Sequence, residues 1–200
     1  MANDECYTPL WYMDLVRKVL GTIQLDPASC YEANKLVQAK KIYTKADKGQ
    51  FAPWDRERIF CNPPYSQPEA TEFADRAVVE YLVDTNKEII FLQNSQTGSD
   101  WYQRLLATCS NLCHHNKRIS FYGPQLSGKD SNRNDSTTFY FGRFPETFRA
   151  VFEEHGTILY TQGDVIRKVS SSMMVQNRLL LEQNKRLSAR IEELSQLKLI

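Results

Sequence analysis

The chain has 200 residues, of which 42% are hydrophobic and 24% are charged, and its formal net charge is +1. This composition is typical of a soluble globular protein with one good-sized domain, and no apolar run approaches the roughly 18 residues of a membrane span. The amino terminus lacks the basic and apolar regions of a signal peptide, and five cysteines at scattered spacings fit reduced thiols. We therefore expect a cytoplasmic protein that binds no membrane. A protein that coats DNA should be more basic than this, whereas one that grips a short site needs only a local basic patch.

Helical and extended patterns alternate along residues 1–163. In chain order, the hydrophobic pattern predicts a helix at 9–20, a strand at 22–25, a helix at 31–39, a strand at 59–61, a helix at 69–83, a strand at 88–92, a helix at 101–107, strands at 118–122 and 137–141, a helix at 145–155 and a strand at 157–160. Strands that alternate with helices indicate an α/β fold with a mostly parallel sheet. We expect helices on both faces of it.

Residues 164–200 form a second segment of different composition. From residue 165 onwards the chain contains no Gly or Pro and repeats every seven residues. Apolar residues fill one heptad position (Met173, Leu180, Leu187 and Leu194), and Asn177, Asn184, Ile191 and Lys198 fill the complementary one. Leucine at d with asparagine at a predicts a two-stranded coiled coil, and hence a homodimer through residues 165–200. A single helix packed on the domain is the alternative.

The stretch IFCNPPYS, residues 59–66, joins a buried strand to an unusual ending. Pro63 and Pro64 fix φ at two successive positions and remove two N–H donors, so the segment is stiff. Such a backbone can direct the Asn62 side-chain oxygen and a neighbouring peptide carbonyl at one point, where they suit an NH₂ group. Tyr65 offers a face for stacking on a flat ring. The pattern predicts a rigid clamp for a planar molecule that carries an amino group.

Asn-Pro-Pro-Tyr resembles the catalytic motif of S-adenosylmethionine-dependent methyltransferases that modify amino nitrogens. The ordered set TPLWYMDLVRKVLGTIQLDPAS, IYTKADKG, FAPW and IFCNPPYS is similar to the compact DNA adenine-N6 methyltransferases common in bacteriophages and prophages. The resemblance implies an abbreviated Rossmann-like sheet and S-adenosylmethionine as cofactor. It also implies double-stranded DNA as substrate, in a bacterial or phage-infected cell. The resemblance covers roughly residues 7–122.

The resemblance also implies roles for individual residues. In catalysis, Asn62 and the Pro63 carbonyl, made rigid by Pro64, would hold the amino group of a flipped adenine, and Tyr65 would stack on the base. The predicted cofactor-binding residues are Tyr7, Thr8, Pro9, Asp26, Pro27, Ala28 and Asp47.

A polar loop between residues 122 and 137 is our candidate for target recognition. It lacks periodicity, and long loops near strand ends are often functional. The predicted DNA-binding residues there and just before the preceding strand are Lys117, Arg118, Lys129, Asn132 and Arg133. Their cationic groups suit phosphates, and the asparagine amide suits base edges.

Two other classes of function remain open at this stage. The LDPASC turn has no glycine, unlike the cofactor turn of most methyltransferases. Because of this difference, a catalytically silent coiled-coil DNA-binding or scaffold subunit is an alternative. An RNA or protein-glutamine methyltransferase would use the same amide clamp. The segment Cys109–His115 also invites a metal site, but no second ligand pair stands at a finger-like spacing, so we predict none.

Overall fold

The computed structural model describes residues 6–123, 129–130 and 134–161. The helices are α1 (Leu10–Leu20), α2 (Tyr31–Val37), α3 (Glu69–Val83), α4 (Asp100–Thr108) and α5 (Pro145–Phe152), with short 3₁₀ helices at Lys45–Asp47 and Glu153–His155. The strands are β1 (Leu25–Asp26), β2 (Lys41–Ile42), β3 (Arg58–Cys61), β4 (Glu88–Asn94), β5 (Asn111–His115), β6 (Phe121–Tyr122), β7 (Lys129–Asp130), β8 (Ser136–Phe141) and β9 (Gly156–Tyr160). None of the helices in these residues is long and apolar enough to cross a bilayer.

Seven strands form one mixed sheet in the order β2-β1-β3-β4-β8-β5-β9. β2, β1, β3 and β4 are parallel neighbours, whereas β8 is antiparallel to β4, and β5 is antiparallel to both β8 and β9. The α/β class is confirmed, but the prediction of a mostly parallel sheet is wrong for half of the sheet. The reason lies in the connection from β5 to β8, whose described residues form the small β6–β7 hairpin and no crossover helix. A chain that returns without a crossover must run antiparallel.

One strand of this antiparallel half was missed from the sequence. Residues 111–115 form β5 in the middle of the β8-β5-β9 half, whereas the predicted strand at 118–122 is reduced to the two residues of β6. The sequence of β5, NLCHH, is too polar to be recognised as an interior strand. Its histidines are accommodated inside the fold because His114 contacts Thr137 and His115 contacts Thr138. A strand whose buried side chains are partly polar shows no alternation of apolar residues, so the hydrophobic pattern does not reveal it.

Helices cover both faces of the sheet, as predicted. Ile59, Ile89 and Phe91 pack under α3 and α4 on one face. Phe60 and Ile90, the alternate residues of the same strands, pack under α1 and α5 on the other face. This period of two explains why β3 and β4 read as continuous apolar runs, since both faces of each strand are buried.

The site is positioned by the carboxyl edge of the sheet. β5 is antiparallel to β8, which is antiparallel to β4, so β5 runs in the same direction as β1 to β4. The segments that follow β1, β3, β4 and β5 therefore leave the sheet at one edge, where ligands bind in open α/β sheets. The predicted coiled coil at 165–200 lies outside the described residues, as do Asn132 and Arg133.

Candidate active site

Asn62 follows β3 directly and has both ends of its carboxamide bonded to hydroxyl groups. Its Nδ2 donates to Thr8 Oγ1 over 3.0 Å, and its Oδ1 accepts from the Tyr65 hydroxyl over 2.9 Å. Asn62 is half-buried and Pro63 is buried, so the start of the turn is embedded in the fold. The geometry brings the two ends of the Asn-Pro-Pro-Tyr motif together and adds Thr8, which lies 54 positions earlier in the chain.

The Tyr65 ring lies inward against the core. It meets Phe121 edge to face, with ring centroids 6.1 Å apart at an interplanar angle of 75°. Burial raises the pKa of the Tyr65 phenol well above 10, so the hydroxyl is neutral and can donate to Asn62. The ring contacts the cluster that contains Phe60 and Ile90. In this arrangement the Tyr65 hydroxyl donates a hydrogen bond to Asn62 Oδ1, the atom that is predicted to accept from a substrate amino group.

A cavity of about 640 Å³ opens beside Asn62. It brings together three motifs that are separate in the sequence, and its lining includes most of the predicted residues: Tyr7, Thr8, Asp26, Pro27, Ala28, Asn62, Pro63 and Pro64. Three predicted residues are not part of this lining: Pro9, Tyr65 and Asp47, the last of which is described below. Pro9 instead begins α1, where its carbonyl accepts from the Met13 N–H over 3.1 Å, and Tyr65 packs as described above.

Asp26 is the buried charged group of this cavity. Its side chain is 2% exposed, and its Oδ1 accepts the Ala28 N–H over 3.1 Å. Burial raises the pKa of the carboxyl group to about 7. Among the described residues, no lysine, arginine or histidine forms an ion pair with it. A buried carboxylate without a cation is costly, and here it borders a space that a ligand can enter.

Gly49 is a residue that sequence reasoning missed. A Cβ atom at this position would lie 1.8 Å from the Pro27 carbonyl oxygen, so the 45–50 segment packs directly on the backbone of the turn after β1. The Gly49 carbonyl also accepts from Trp54 Nε1 over 2.9 Å. Gly49 therefore lets a second loop pack closely against the turn after β1, which itself contains no glycine. The lone glycine in KADKG was the available signal.

Asp47 lies outside the lining of the cavity. Its side chain is exposed, and Oδ2 accepts from the Thr44 N–H over 2.8 Å and from the Thr44 hydroxyl over 2.7 Å. These bonds lower the pKa of the carboxyl group. Asp47 therefore caps the 3₁₀ helix Lys45–Asp47, while Thr44 and Lys45 line the cavity beside it. Its predicted contact with the cofactor stays a prediction.

Comparison with known proteins decides the family. Residues 1–171 match the family model described as DNA N-6-adenine-methyltransferase (Dam). A DNA N-6-adenine-methyltransferase of Haemophilus phage HP1 (strain HP1c1) is 23% identical over 134 residues, which cover 66% of this chain and 74% of the relative. No solved structure shows a significant match.

The chain belongs to the DNA N-6-adenine-methyltransferase family. The predicted phage-type DNA adenine-N6 methyltransferase is confirmed, and the family implies S-adenosylmethionine as the methyl donor. A member of this family methylates adenine in DNA, which answers the choice among DNA, RNA and protein that the motif alone left open.

In the methyltransferase, the described DNA-binding candidates lie at the carboxyl edge of the sheet. Lys117 and Arg118 are exposed and follow β5, and Arg118 Nε pairs with Asp135 Oδ1 over 3.2 Å. Lys129 belongs to β7, whose partner β6 follows shortly after them. These positions share an edge with Asn62, and their role in DNA binding stays a prediction.

The Cys109–His115 segment of the methyltransferase provides no joint metal site. Cys113 Sγ contacts the Phe152 carbonyl, and the ring of His115 contacts Thr138 Oγ1 over 2.7 Å. Within the described ranges, no three His, Cys, Asp or Glu side chains are grouped so that they could hold a metal ion.

Proposed function

We propose that Asn62 and the Pro63 carbonyl hold the N6 amino group of an adenine flipped out of double-stranded DNA, beside a cofactor bound in the 640 Å³ cavity. One observation carries this proposal: Asn62 stands at the end of β3 on the wall of the cavity that Thr8 and Asp26 also line. The clamp and the cofactor space are thus adjacent, as methyl transfer between two bound molecules requires.

The residues of the cavity fit S-adenosylmethionine. Its volume lies within the range of about 300–1,000 Å³ for small-molecule sites. Asp26 offers a buried carboxyl group to the positive charge of the cofactor, and the Tyr43 and Phe51 side chains offer apolar surface to its adenine ring. Tyr7, Thr8, Pro27 and Ala28 complete the wall. Pro9 fixes the start of α1 behind them, and Asp47 reaches the cofactor from the rim only if its side chain turns from Thr44.

When bound, S-adenosylmethionine supplies a methyl group whose bond to a positively charged sulfur breaks as the bond to N6 forms. Asn62 Oδ1 and the Pro63 carbonyl accept the two amino hydrogens, which draws the nitrogen lone pair out of conjugation with the ring. Pro64 keeps these two oxygens in fixed positions. The protein thereby supplies orientation and neutral acceptors, and the proton that N6 releases after methyl transfer passes from a hydrogen bond with these oxygens to water.

Tyr65 supplies the stacking face for the flipped base. Stacking requires its ring to leave Phe121, and the same motion frees Asn62 Oδ1 from the tyrosine hydroxyl. Base–aromatic stacking contributes roughly 1–3 kcal/mol per base, which is enough to offset one lost hydrogen bond of about 1 kcal/mol.

The DNA duplex lies over the carboxyl edge of the sheet. Lys117, Arg118, Lys129 and Arg133 contact phosphates, and Asn132 reads base edges in the major groove. Residues 165–200 pair as a coiled coil, so a homodimer presents two methyltransferase domains, residues 1–163, to the DNA. The enzyme works in the cytoplasm of a bacterial or phage-infected cell.

A transfer assay with tritiated S-adenosylmethionine and unmethylated DNA, RNA and protein tests this proposal. We expect label in N6-methyladenine of DNA, and a decrease of at least about 100-fold for Asn62→Ala, comparable to the loss of one aligned polar group in other active sites. Calorimetry should show that the variant still binds the cofactor.

The matched control is Asn86→Ala. Asn86 is an exposed asparagine that precedes β4, at the opposite edge of the sheet. It should retain wild-type transfer. Undiminished transfer by Asn62→Ala would remove Asn62 from the mechanism, and a wild type that binds no cofactor would overturn the assignment of the cavity.

A further inference from the structure

We infer that Thr8 is a positioning residue for Asn62, because its hydroxyl anchors the Nδ2 end of the Asn62 carboxamide while the oxygen end faces the adenine amino group. Thr8 Oγ1 accepts from Asn62 Nδ2 over 3.0 Å, and Thr8 is 4% exposed. This inference rests on the proposed role of Asn62. It gives Thr8 a role in the methyl-transfer step, whereas the resemblance implied a contact with the cofactor.

The orientation of the carboxamide matters because its two ends are alike in shape and opposite in chemistry. The oxygen accepts hydrogen bonds and the NH₂ group donates them. An Asn62 turned by 180° about its last torsion would point a donor at another donor, the amino group. That torsion has a broad, roughly two-fold preference, so the asparagine does not choose an orientation by itself. The adenine amino group, a donor, selects the oxygen, and the Thr8 hydroxyl accepts from the NH₂ group at the other end and so holds the carboxamide in that position.

Among the described residues, two side chains hydrogen-bond the Asn62 carboxamide, and under the proposed function one of them remains in place when the base binds. The Tyr65 hydroxyl holds Oδ1 over 2.9 Å in the structure. Under the proposed function, that contact is given up when Tyr65 turns to stack on adenine. Thr8 then remains as the side-chain partner of Nδ2 and keeps Oδ1 directed at the amino group.

The backbone that carries the Thr8 hydroxyl is held in place on both sides. The preceding residue, Tyr7, pairs with Tyr122 of β6 through two backbone hydrogen bonds of 2.8 and 2.9 Å. The following residue, Pro9, has φ −69° at the start of α1. Threonine also has few side-chain rotamers because its Cβ is branched. The acceptor for Asn62 Nδ2 is therefore a fixed point of the fold.

The two possible roles of Thr8 predict different kinetics. Thr8 lines the cavity, so a contact with the cofactor would affect cofactor binding. A positioning role would instead affect kcat at saturating DNA and cofactor, because misoriented Asn62 lowers the fraction of complexes that can react.

The experiment compares Thr8→Val with Thr8→Ser in the full chain. Valine keeps the branched shape and removes the acceptor, whereas serine keeps the hydroxyl. For Thr8→Val we expect kcat to fall about 10-fold or more, within the range for a polar group left without its partner. The cofactor Kd from calorimetry should stay within about 2-fold, and Thr8→Ser should retain kcat within about 3-fold of wild type.

Thr108→Val is the matched control for the loss of a buried threonine hydroxyl. Thr108 is 5% exposed and bonds the Arg104 carbonyl within α4. It should leave kcat unchanged. Three results would overturn the inference: a weaker cofactor Kd with unchanged kcat in Thr8→Val, unchanged kcat with unchanged Kd, or equal losses in Thr8→Val and Thr8→Ser. The proposed function fails on a different result, namely full activity of Asn62→Ala.

Discussion

The two halves of the sheet use buried polar side chains in opposite ways. In the parallel half, Asp26 and Asn62 stand at strand ends on the wall of a cavity. In the antiparallel half, polar groups of neighbouring elements bond one another: Thr137 contacts Tyr102 and His114, and Thr138 contacts Tyr12 and His115. Buried polarity alone therefore does not mark the site. The candidate site is distinguished by buried polar groups that border a cavity large enough for a ligand.

Two titrating groups make the same contrast. Burial raises the pKa of Asp26 to about 7, and burial together with nearby His155 lowers the pKa of His115 to about 4. Each group thus favours its neutral form. His115 has a protein partner in Thr138, whereas Asp26 has an accessible cavity beside it and no cation among the described residues. Only Asp26 can gain a charged partner when a ligand binds.

The largest effect that separates the two halves is expected for Asp26→Asn. The positive charge of S-adenosylmethionine favours the carboxylate, so wild-type affinity should rise as pH increases through about 7. The asparagine variant should lose this pH dependence. At pH 8 it should bind at least about 30-fold more weakly, as expected for a desolvated charge pair that loses one member. Calorimetry between pH 6 and pH 8.5 measures both.

The same substitution should stabilise the ligand-free protein. The folded-state pKa of Asp26 is raised above the ordinary value of 3.8, so the unfolded chain releases its proton first as pH rises. The free energy of unfolding therefore falls between about pH 4 and pH 7 and stays low above that window. Asp26→Asn should melt higher than wild type at pH 8. Tight, pH-independent cofactor binding by the variant would contradict the role of Asp26.

A smaller effect is expected at Tyr65. Tyr65→Phe keeps the ring and removes the hydroxyl that holds Asn62 Oδ1, so its kcat should stay within about 3-fold of wild type. Tyr65→Ala removes the stacking face, and its KM for DNA should rise about 10-fold, within the roughly 1–3 kcal/mol of one stacked base. Steady-state kinetics distinguish the two. A phenylalanine variant as impaired as the alanine variant would show that the hydroxyl, and not the ring, carries the function.

The smallest effect is expected in the antiparallel half, for His115→Gln. Because the folded-state pKa of His115 lies near 4, below the ordinary 6.5, the unfolded chain takes up a proton first as pH falls. Wild-type stability should therefore decrease between about pH 6.5 and pH 4. The variant should lose less, by roughly 4–8 °C in melting temperature at pH 5, since this pKa difference costs about 2 kcal/mol there and 1 kcal/mol shifts a domain of this size by about 2–4 °C. Its methyl transfer at pH 7.5 should match wild type, and a large decrease would place His115 in the site.

These comparisons also show which features were readable from the sequence. The helices and the strands around Asn62 follow from local hydrophobic periods, and α3 was predicted at its observed bounds, Glu69–Val83. The meeting of the motifs after β1 and β3 followed from strand ends that share an edge, whereas Thr8 was assigned to the same site only by the family resemblance. The direction of β8 and the close approach of Gly49 to Pro27 were not readable, because both arise from contacts between distant segments.

The bond between Tyr65 and Asn62 belongs to the same unreadable class. Both residues were expected to face a base, and the motif fixes only the backbone that carries them. The inward position of the ring depends on Phe121, which comes from β6, 56 positions further along the chain. A side-chain rotamer set by such a neighbour has no signal in a four-residue motif.

The backbone pairing of Tyr7 with Tyr122 has a consequence for how target specificity can diverge or be engineered. The candidate recognition loop begins just after Tyr122, whose backbone supports the segment that holds Thr8. A chimera that exchanges this loop with one from a related enzyme needs its junctions after Gly123 and before Asn134. Junctions placed earlier would replace Phe121 and Tyr122 together with the loop. Such a chimera would gain a new recognition loop but would alter the contacts of Phe121 with Tyr65 and of Tyr122 with Tyr7.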